Sequence, residues 1–446
     1  MLKKQPLITV LSVSLLALST GCSPSSESET KAIAPEANQV KKETQELNAP
    51  ASKLVTVAPT NPDPATQQKT QQYLKRLAAK GFTGKNQGVW IQTGNTLLAN
   101  YQGTVPLPAA SITKVATSLA ALSTYGPEHQ FITQIGATGP IENGVLQGDL
   151  VIEGSSDPFF VWEEAIALGN VLNQRGIKRI TGNLIIIGKF YMNYEQNPLK
   201  SGNLLKQTLN SRLWTAQIET QYQTFPPGTP RPQIKIDGSV QLSPITPSQV
   251  TPLIRHYSFT LALLLKKMNR YSNNKMAQIV ADSIGGAEVV AQKAAKAAGV
   301  PPTEIQLING SGLGEENKMS PRAAVAIFLA IQQYLQTKNM TVADILAVVG
   351  QDQGILEQRQ IPLRSVVKSG SLDRVSALAG ALPTQQQGVV WFAILNSGGN
   401  LEKFRTEQEL LLKSFVQQWG SVSNSPAELT PLVVEESQTA RNEIVN

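Results

Sequence analysis

A chain of 446 residues, 41% of them hydrophobic, is long enough for two or three domains and can bury a full core. Its formal charge of +7 comes from scattered Lys and Arg, with no basic block interleaved with aromatics; this argues against a nucleic-acid face and leaves attraction to an anionic wall or membrane. With only His129, His256 and Cys22 in their classes, a zinc site lacks ligands and a Ser-His-Asp or Cys-His mechanism would need one of two rings. Both histidines read as structural or surface residues, so hydrolytic chemistry here would use a lysine as base.

At the N-terminus Lys3 and Lys4 precede an apolar run from Leu7 to Leu18 and then Ser19-Thr20-Gly21-Cys22. The run is too short to cross a bilayer and fits a secretory signal. Its end resembles a bacterial lipobox, in which the cysteine is lipidated at its thiol, although Ser19 stands where Leu is usual. An ordinary signal peptide is the alternative. The expectation is an exported chain on the periplasmic or cell-envelope face, held to a membrane through Cys22. Residues 22–63, rich in Ser, Glu, Lys, Thr, Ala and Pro and free of aromatics, read as a disordered tether.

Asp63-Pro64 reads as an N-cap followed by proline at the first helical position, and Tyr73, Leu74 and Leu77 give that helix one apolar face before Gly81. Val89 to Ile91 and Leu97 to Tyr101, joined by a turn at Gly94-Asn95, predict a β-hairpin. Apolar residues at Ile112, Val115, Ala116, Leu119, Ala120 and Leu122 predict a core helix opening near Ser111. Ser111 and Lys114, three apart, would share a face of it, placing an amine beside a hydroxyl.

From 133 to 256 short strands (Asp149 to Glu153, Asn183 to Ile187, Gln233 to Ile236), turns and prolines, with one helix near Glu164 to Arg175, predict an inserted β-rich domain. Four helices follow: Phe259 to Asn269, Asn273 to Ile284, Ala287 to Ala298, and Pro321 to Leu335 capped by Ser320. Three strands come next, Ser365 to Lys368, Val375 to Leu382 and Val389 to Leu395, the last buried on both faces. A helix from Arg405 to Trp419 closes the domain, and 421–446 reads as a flexible tail.

Two stretches join Ser111 and Lys114 as chemistry-bearing candidates. Tyr271-Ser272-Asn273-Asn274 is a polar turn between helices, and Val367-Lys368-Ser369-Gly370-Ser371 is a strand gaining a cation and a glycine that lets a ligand backbone approach. In order they read S-x-x-K, S-x-N, K-S-G, which resembles the motif set of penicillin-binding proteins and serine β-lactamases. Ala137-Thr-Gly-Pro-Ile, Gly144 to Leu150, Gly154-Ser-Ser-Asp-Pro158, Gly176 to Gly182, Lys266 to Asn274, Asn309-Gly-Ser-Gly-Leu313 and Lys368 to Gly380 narrow the likeness. Over roughly 64–420 the chain resembles the class C low-molecular-mass penicillin-binding proteins, secreted D-Ala-D-Ala carboxypeptidases and endopeptidases. Ile112 stands where that family often has Asn, Ser369 where Thr is commoner, and Asn309 where Asp is usual; none of these changes removes a catalytic atom.

The resemblance implies an α/β (α+β) fold: a transpeptidase-like or β-lactamase-like domain (64–132 and 257–420), with an antiparallel sheet, flanking helices and a helical subdomain, carrying the insert. It implies Ser111 as nucleophile toward peptidoglycan stem peptides and β-lactams, Lys114 as base, Ser272 as proton relay and Asn274 on the substrate amide. Lys368 and Ser369 would hold the terminal carboxylate, with Gly370 giving close approach and the Ser111 and Ser371 N–H groups forming the oxyanion site. No metal or organic cofactor is implied. Two other readings stay open at this level: a serine β-lactamase, for which Glu163 and Glu164 offer no assignable deacylating carboxylate, and a non-catalytic cell-wall-binding lipoprotein.

Overall fold

The computed structural model describes residues 61–433 and 441–445, so the signal segment, Cys22 and nearly all of the expected tether lie outside the described residues. Helix α1 (Pro64–Ala79) opens at Asp63, whose carboxylate accepts from the Thr66 N–H. The hairpin β1 (Gln87–Thr93) and β2 (Thr96–Tyr101) follows, then helix α2 (Thr113–Tyr125). Next come β3 (Ile132–Ala137), β4 (Leu150–Ser155), α3 (Trp162–Gln174), β5 (Leu184–Lys189), α4 (Pro198–Thr208), α5 (Ala216–Tyr222), β6 (Val240–Ser243) and β7 (Thr251–Tyr257). The second half holds α6 (Leu261–Arg270), α7 (Asn274–Ile284), α8 (Ala287–Ala298), α9 (Pro321–Gln336), β8 (Ala347–Val348), β9 (Val366–Leu372), β10 (Val375–Thr384), β11 (Gly388–Ser397), α10 (Leu401–Trp419) and β12 (Arg441–Ile444).

One six-stranded sheet has the order β8-β9-β10-β11-β1-β2 and is antiparallel throughout. Its central strand β11 alternates between two cores. Val389, Trp391, Ala393 and Leu395 pack toward the helices α2 and α6 to α9, while Val390, Phe392 and Ile394 pack with α1 and α10. Both faces are covered, which is why the strand reads as an unbroken apolar run rather than an alternating one. Helix α2 lies inside the helical layer, in contact with α6, α7, α8 and α9, and is buried from Thr113 to Leu122. Any polar side chain on that stretch is cut off from bulk water.

The stretch 133–256 and the distant strand β12 build a second sheet, β6-β5-β4-β3-β7-β12, around a separate apolar cluster. Here the structure departs from the β-rich expectation. The pairs β4/β5 and β5/β6 are parallel, and parallel neighbours need crossover connections, which α3 and then α4 with α5 provide. Helix α5 buries only Ile218, so its polar sequence carries almost no periodic signal.

The expected loose tail is partly ordered. Strand β12 pairs antiparallel with β7, Ile254 opposite Ile444, and Asn442 Oδ1 lies 3.0 Å from the Nδ1 of the buried His256. Leu432 and Val433 donate their N–H groups to Asp344. An edge strand of Arg, Asn and Glu exposes most of its side chains, so nothing in composition separates it from a tail. The last helix also begins a turn before its apolar pattern, because Asn400 caps it by accepting from the Lys403 N–H.

A buried polar knot ties the sheet to its outer helices. Asn396 on β11 donates to Tyr73 Oη at 2.7 Å and Gln87 Oε1 at 2.6 Å, and accepts from Gln408 Nε2 at 2.7 Å. All of this sits away from water, so truncation orphans three partners at once. Asn396→Ala is expected to cost about 3 kcal/mol in urea unfolding; a loss near 1 kcal/mol would mean that water replaces the amide.

Candidate active site

Ser111 does not lie in the α-helix proper. It occupies a 3₁₀ turn, Ala110–Ile112, that leads into α2, because Ala110 adopts a left-handed φ of +44° and breaks the regular helix there. The three-residue spacing still works. Lys114 Nζ is 2.9 Å from Ser111 Oγ, 2.7 Å from Asn274 Oδ1 and 2.7 Å from the Ser311 carbonyl oxygen. Lys114 is fully buried, and burial pushes its pKa down to about 7.

That environment sets the direction of its lone pair. A neutral amine has two N–H donors and one acceptor site. The two carbonyl oxygens, of Asn274 and Ser311, can only accept, so they take the two donors. The lone pair is left facing the Ser111 hydroxyl, the geometry a base needs.

The Ser311 carbonyl is presented by a braced loop. Asn309 Oδ1 accepts from the N–H of Ser311, the N–H of Gly312 and the Ser311 hydroxyl, while its Nδ2 donates to Leu313 O. Asn317 braces the same loop by accepting from Ile308 N–H and Asn309 N–H. The Asn309 contacts to the loop N–H groups all use its oxygen, which explains why Asn serves where the family resemblance leads one to expect Asp. Gly312, at φ +82°, lies so close to the Ser111 turn that a Cβ there would be 1.8 Å from the Ala110 carbonyl oxygen. The resemblance covers this loop without giving Ser311 a role; the signal in the sequence is the Gly312 and Gly314 pair, which allows a close approach of backbone.

Lys368 reaches the site from β9. Its Nζ donates to Ser272 Oγ at 3.1 Å and to its neighbour's carbonyl, Ser369 O, at 2.7 Å. Burial first, and then the charge of Lys114, hold its pKa well below the usual lysine range. Ser272 sits at φ +51°, in the turn between α6 and α7, and Asn273 caps α7 by accepting from Met276 N–H. Strained backbone thus flanks or includes two of the candidate residues, Ser111 and Ser272.

Gly370 brings β9 against the Ser111 turn. A Cβ on it would lie 2.8 Å from both Ala109 O and Ser111 N. On a strand, Lys368 and Gly370 share one face, and Ser369 and Ser371 share the other. The structure therefore gathers Ser111, Lys114, Asn274, Lys368, Ser272 and Gly370 into one cluster, with Ser369 and Ser371 on the strand beside it. It does not bring Glu163 and Glu164 there: Glu163 accepts from Gln221 Nε2, and Glu164 lies 4.0 Å from His256 inside the second core. His256 is held between Asp157, Glu164 and Asn442, as a structural residue would be. Among the described residues no group of His, Cys, Asp and Glu side chains is arranged to hold a metal ion.

Comparison with known proteins places this geometry. The profile of the D-Ala-D-Ala carboxypeptidase 3 (S13) family matches residues 70–198 and 202–414. D-alanyl-D-alanine carboxypeptidase DacB of Haemophilus influenzae is 30% identical over 139 residues, a match spanning 31% of this chain and only 28% of that relative. Two solved structures share the fold. Bd3459, a predatory peptidoglycan endopeptidase from Bdellovibrio bacteriovorus, superposes with a TM-score of 0.63 at 20% identity, covering 79% of this chain and 98% of its own. Penicillin binding protein 4 (dacB) of Haemophilus influenzae gives 0.58 at 20% identity, over 76% and 97%.

The contact at Gly370 can be tested directly. Gly370→Ala drives a methyl against the backbone atoms Ala109 O and Ser111 N, which a side-chain rotation cannot relieve, so the Ser111 turn must shift. Acylation of Ser111 by a fluorescent penicillin is expected to slow about 100-fold, with thermal unfolding lowered by only a few degrees; an unchanged rate would show that the turn absorbs the methyl without moving.

Proposed function

The chain belongs to the D-Ala-D-Ala carboxypeptidase 3 (S13) family, and from that premise we propose that it is a serine-type D-Ala-D-Ala carboxypeptidase of peptidoglycan stem peptides. The observation that carries this reading is the buried Lys114 amine, with its lone pair turned to the Ser111 hydroxyl by two carbonyl acceptors.

In the first step Ser111 Oγ attacks the carbonyl of the penultimate D-Ala and its proton passes to Lys114 Nζ. The oxyanion is held between the N–H groups of Ser111 and Ser371, donors each worth about 3 to 4 kcal/mol in such a site. Asn274 gives its oxygen to Lys114, and its Nδ2 remains for the substrate's amide carbonyl. Ser272, held by Lys368, passes a proton to the leaving nitrogen as the C–N bond breaks and takes in its place the proton that Lys114 had accepted, so that Lys114 is neutral again as terminal D-Ala departs. Lys368 and the Ser369 hydroxyl take the terminal carboxylate, whose negative charge favours the protonated form of Lys368. Water then hydrolyses the ester, with Lys114 again the base. A penicillin acylates Ser111 by the same attack and leaves slowly, because no carboxylate among the described side chains hydrogen-bonds Ser111 or Lys114 to hasten the water. That last point favours the carboxypeptidase over the β-lactamase reading. The same acyl step serves cross-link cleavage, in which the leaving amine belongs to a neighbouring stem peptide.

We further propose that the N-terminal signal exports the chain and that Cys22 carries a lipid holding it to a membrane of the cell envelope. Residues 64–132 with 257–420 then form the catalytic domain, and 133–256 an inserted one. Among the described residues no helix is long and apolar enough to cross a membrane, so anchoring would rest on the segment preceding them.

The decisive experiment labels the soluble part with fluorescent penicillin. Stable labelling of the wild type, absent in Ser111→Ala, is expected; a folded wild type that takes no label but binds sacculi would favour a scaffold. The pH dependence has a definite sign. Below about 7 Lys114 holds a proton and has no lone pair, so the acylation rate should fall roughly tenfold per pH unit below that point and level off above it. Lys114→Arg, protonated at every working pH, should lose at least 100-fold in acylation across the whole range.

A further inference from the structure

Arg405 lies in the second turn of α10, on the side of the main sheet opposite Lys114. Its Nη2 donates to Ser371 Oγ at 2.9 Å and its Nη1 to Glu402 Oε1 at 2.7 Å, while its Nε is buried without an acceptor. The sheet register explains the meeting. Ser371 stands opposite Ser376, Ser376 Oγ bonds Gln408 on α10, and Arg405 is three residues before Gln408 on the same helix face. The ion pair with Glu402 does not account for this placement: Glu402 is 72% exposed, and an i,i+3 surface pair contributes little.

The hydrogen bond has a directional consequence. A hydroxyl that accepts from a guanidinium keeps its own proton free, and that proton becomes a better donor. Ser371 is exposed at the end of the strand that carries Lys368, Ser369 and Gly370, and it shares a face with Ser369. Lys368 is buried beside Lys114, a poor setting for a full positive charge, whereas an arginine keeps its charge at any working pH.

We propose that Arg405 is a positioning residue for a ligand's C-terminal carboxylate: it orients the Ser371 hydroxyl toward that group and supplies a permanent positive charge beside it. This rests on the carboxypeptidase reading for the identity of the ligand, but it concerns recognition rather than turnover.

The test therefore measures binding. An N-acylated D-Ala-D-Ala peptide and its C-terminal amide are titrated calorimetrically into full-length Ser111→Ala protein, alone and with changes at 405. The acid should bind at least tenfold tighter than the amide. Adding Arg405→Ala should remove most of that preference and leave amide binding unchanged, Arg405→Lys should restore part of it, and Glu402→Gln, which releases the guanidinium, should increase it. Ser371→Ala combined with Arg405→Ala should lose no more than Arg405→Ala alone. A preference for the acid that survives Arg405→Ala, or acid and amide binding that fall together, overturns the proposal, as does a protein that never distinguishes acid from amide. The carboxypeptidase reading fails separately: a wild type that shows the Arg405-dependent preference yet takes no penicillin label retains the carboxylate site and loses the activity.

Discussion

The arrangement depends on one buried amine. Lys114 sits in a helix with its surroundings sealed by α6, α7, α8 and α9, and a charge there lacks the solvation that water provides. Burial alone brings its pKa to about 7, and the carbonyls of Asn274 and Ser311 then decide which way the lone pair points. These three features come from three separate parts of the chain. A surface lysine at the same spacing from a serine would be protonated and solvated, and would not act as a base.

Close packing around that amine is made by small residues and strained ones. Gly312 and Gly370 let a loop and a strand touch the Ser111 turn at distances no Cβ allows, and Ala110 and Ser272 accept left-handed backbone at the candidate site. The supporting contacts lie one layer out. Asn269 donates to Ser118 Oγ and Ile345 O, and Ser118 Oγ donates to the Lys114 carbonyl, so α6 is pinned to α2 at the level of the amine. Lys266 ties the same helix to Ala343 O, Leu346 O and Asp352. Conformational freedom is removed around the amine before any ligand arrives.

The second sheet also reaches this centre. Tyr194, beyond β5, packs against the first core, and Phe159 packs on both Tyr194 and Phe259. The stretch between β3 and β7 thus touches the first core, while its own acids, Glu163 and Glu164, are occupied elsewhere.

The sequence by itself determined the residue types, their order and most of the elements. Ser111 with Lys114, Ser272 with Asn274, and Lys368-Ser369-Gly370-Ser371 were legible because spacing along one helix or strand fixes which side chains are neighbours. The Asp63 and Ser320 caps and the doubly buried β11 were legible because local hydrogen bonding and hydrophobic period are properties of contiguous residues. Only the tertiary structure decided the rest. The meeting of Lys114 with Ser311 and of Ser371 with Arg405, the parallel crossovers of the second sheet and the pairing of β12 all join residues distant in the chain. Their polar or short segments carry no period to reveal them. The protonation state of Lys114 belongs to the same group, since it depends on the burial that four other helices impose.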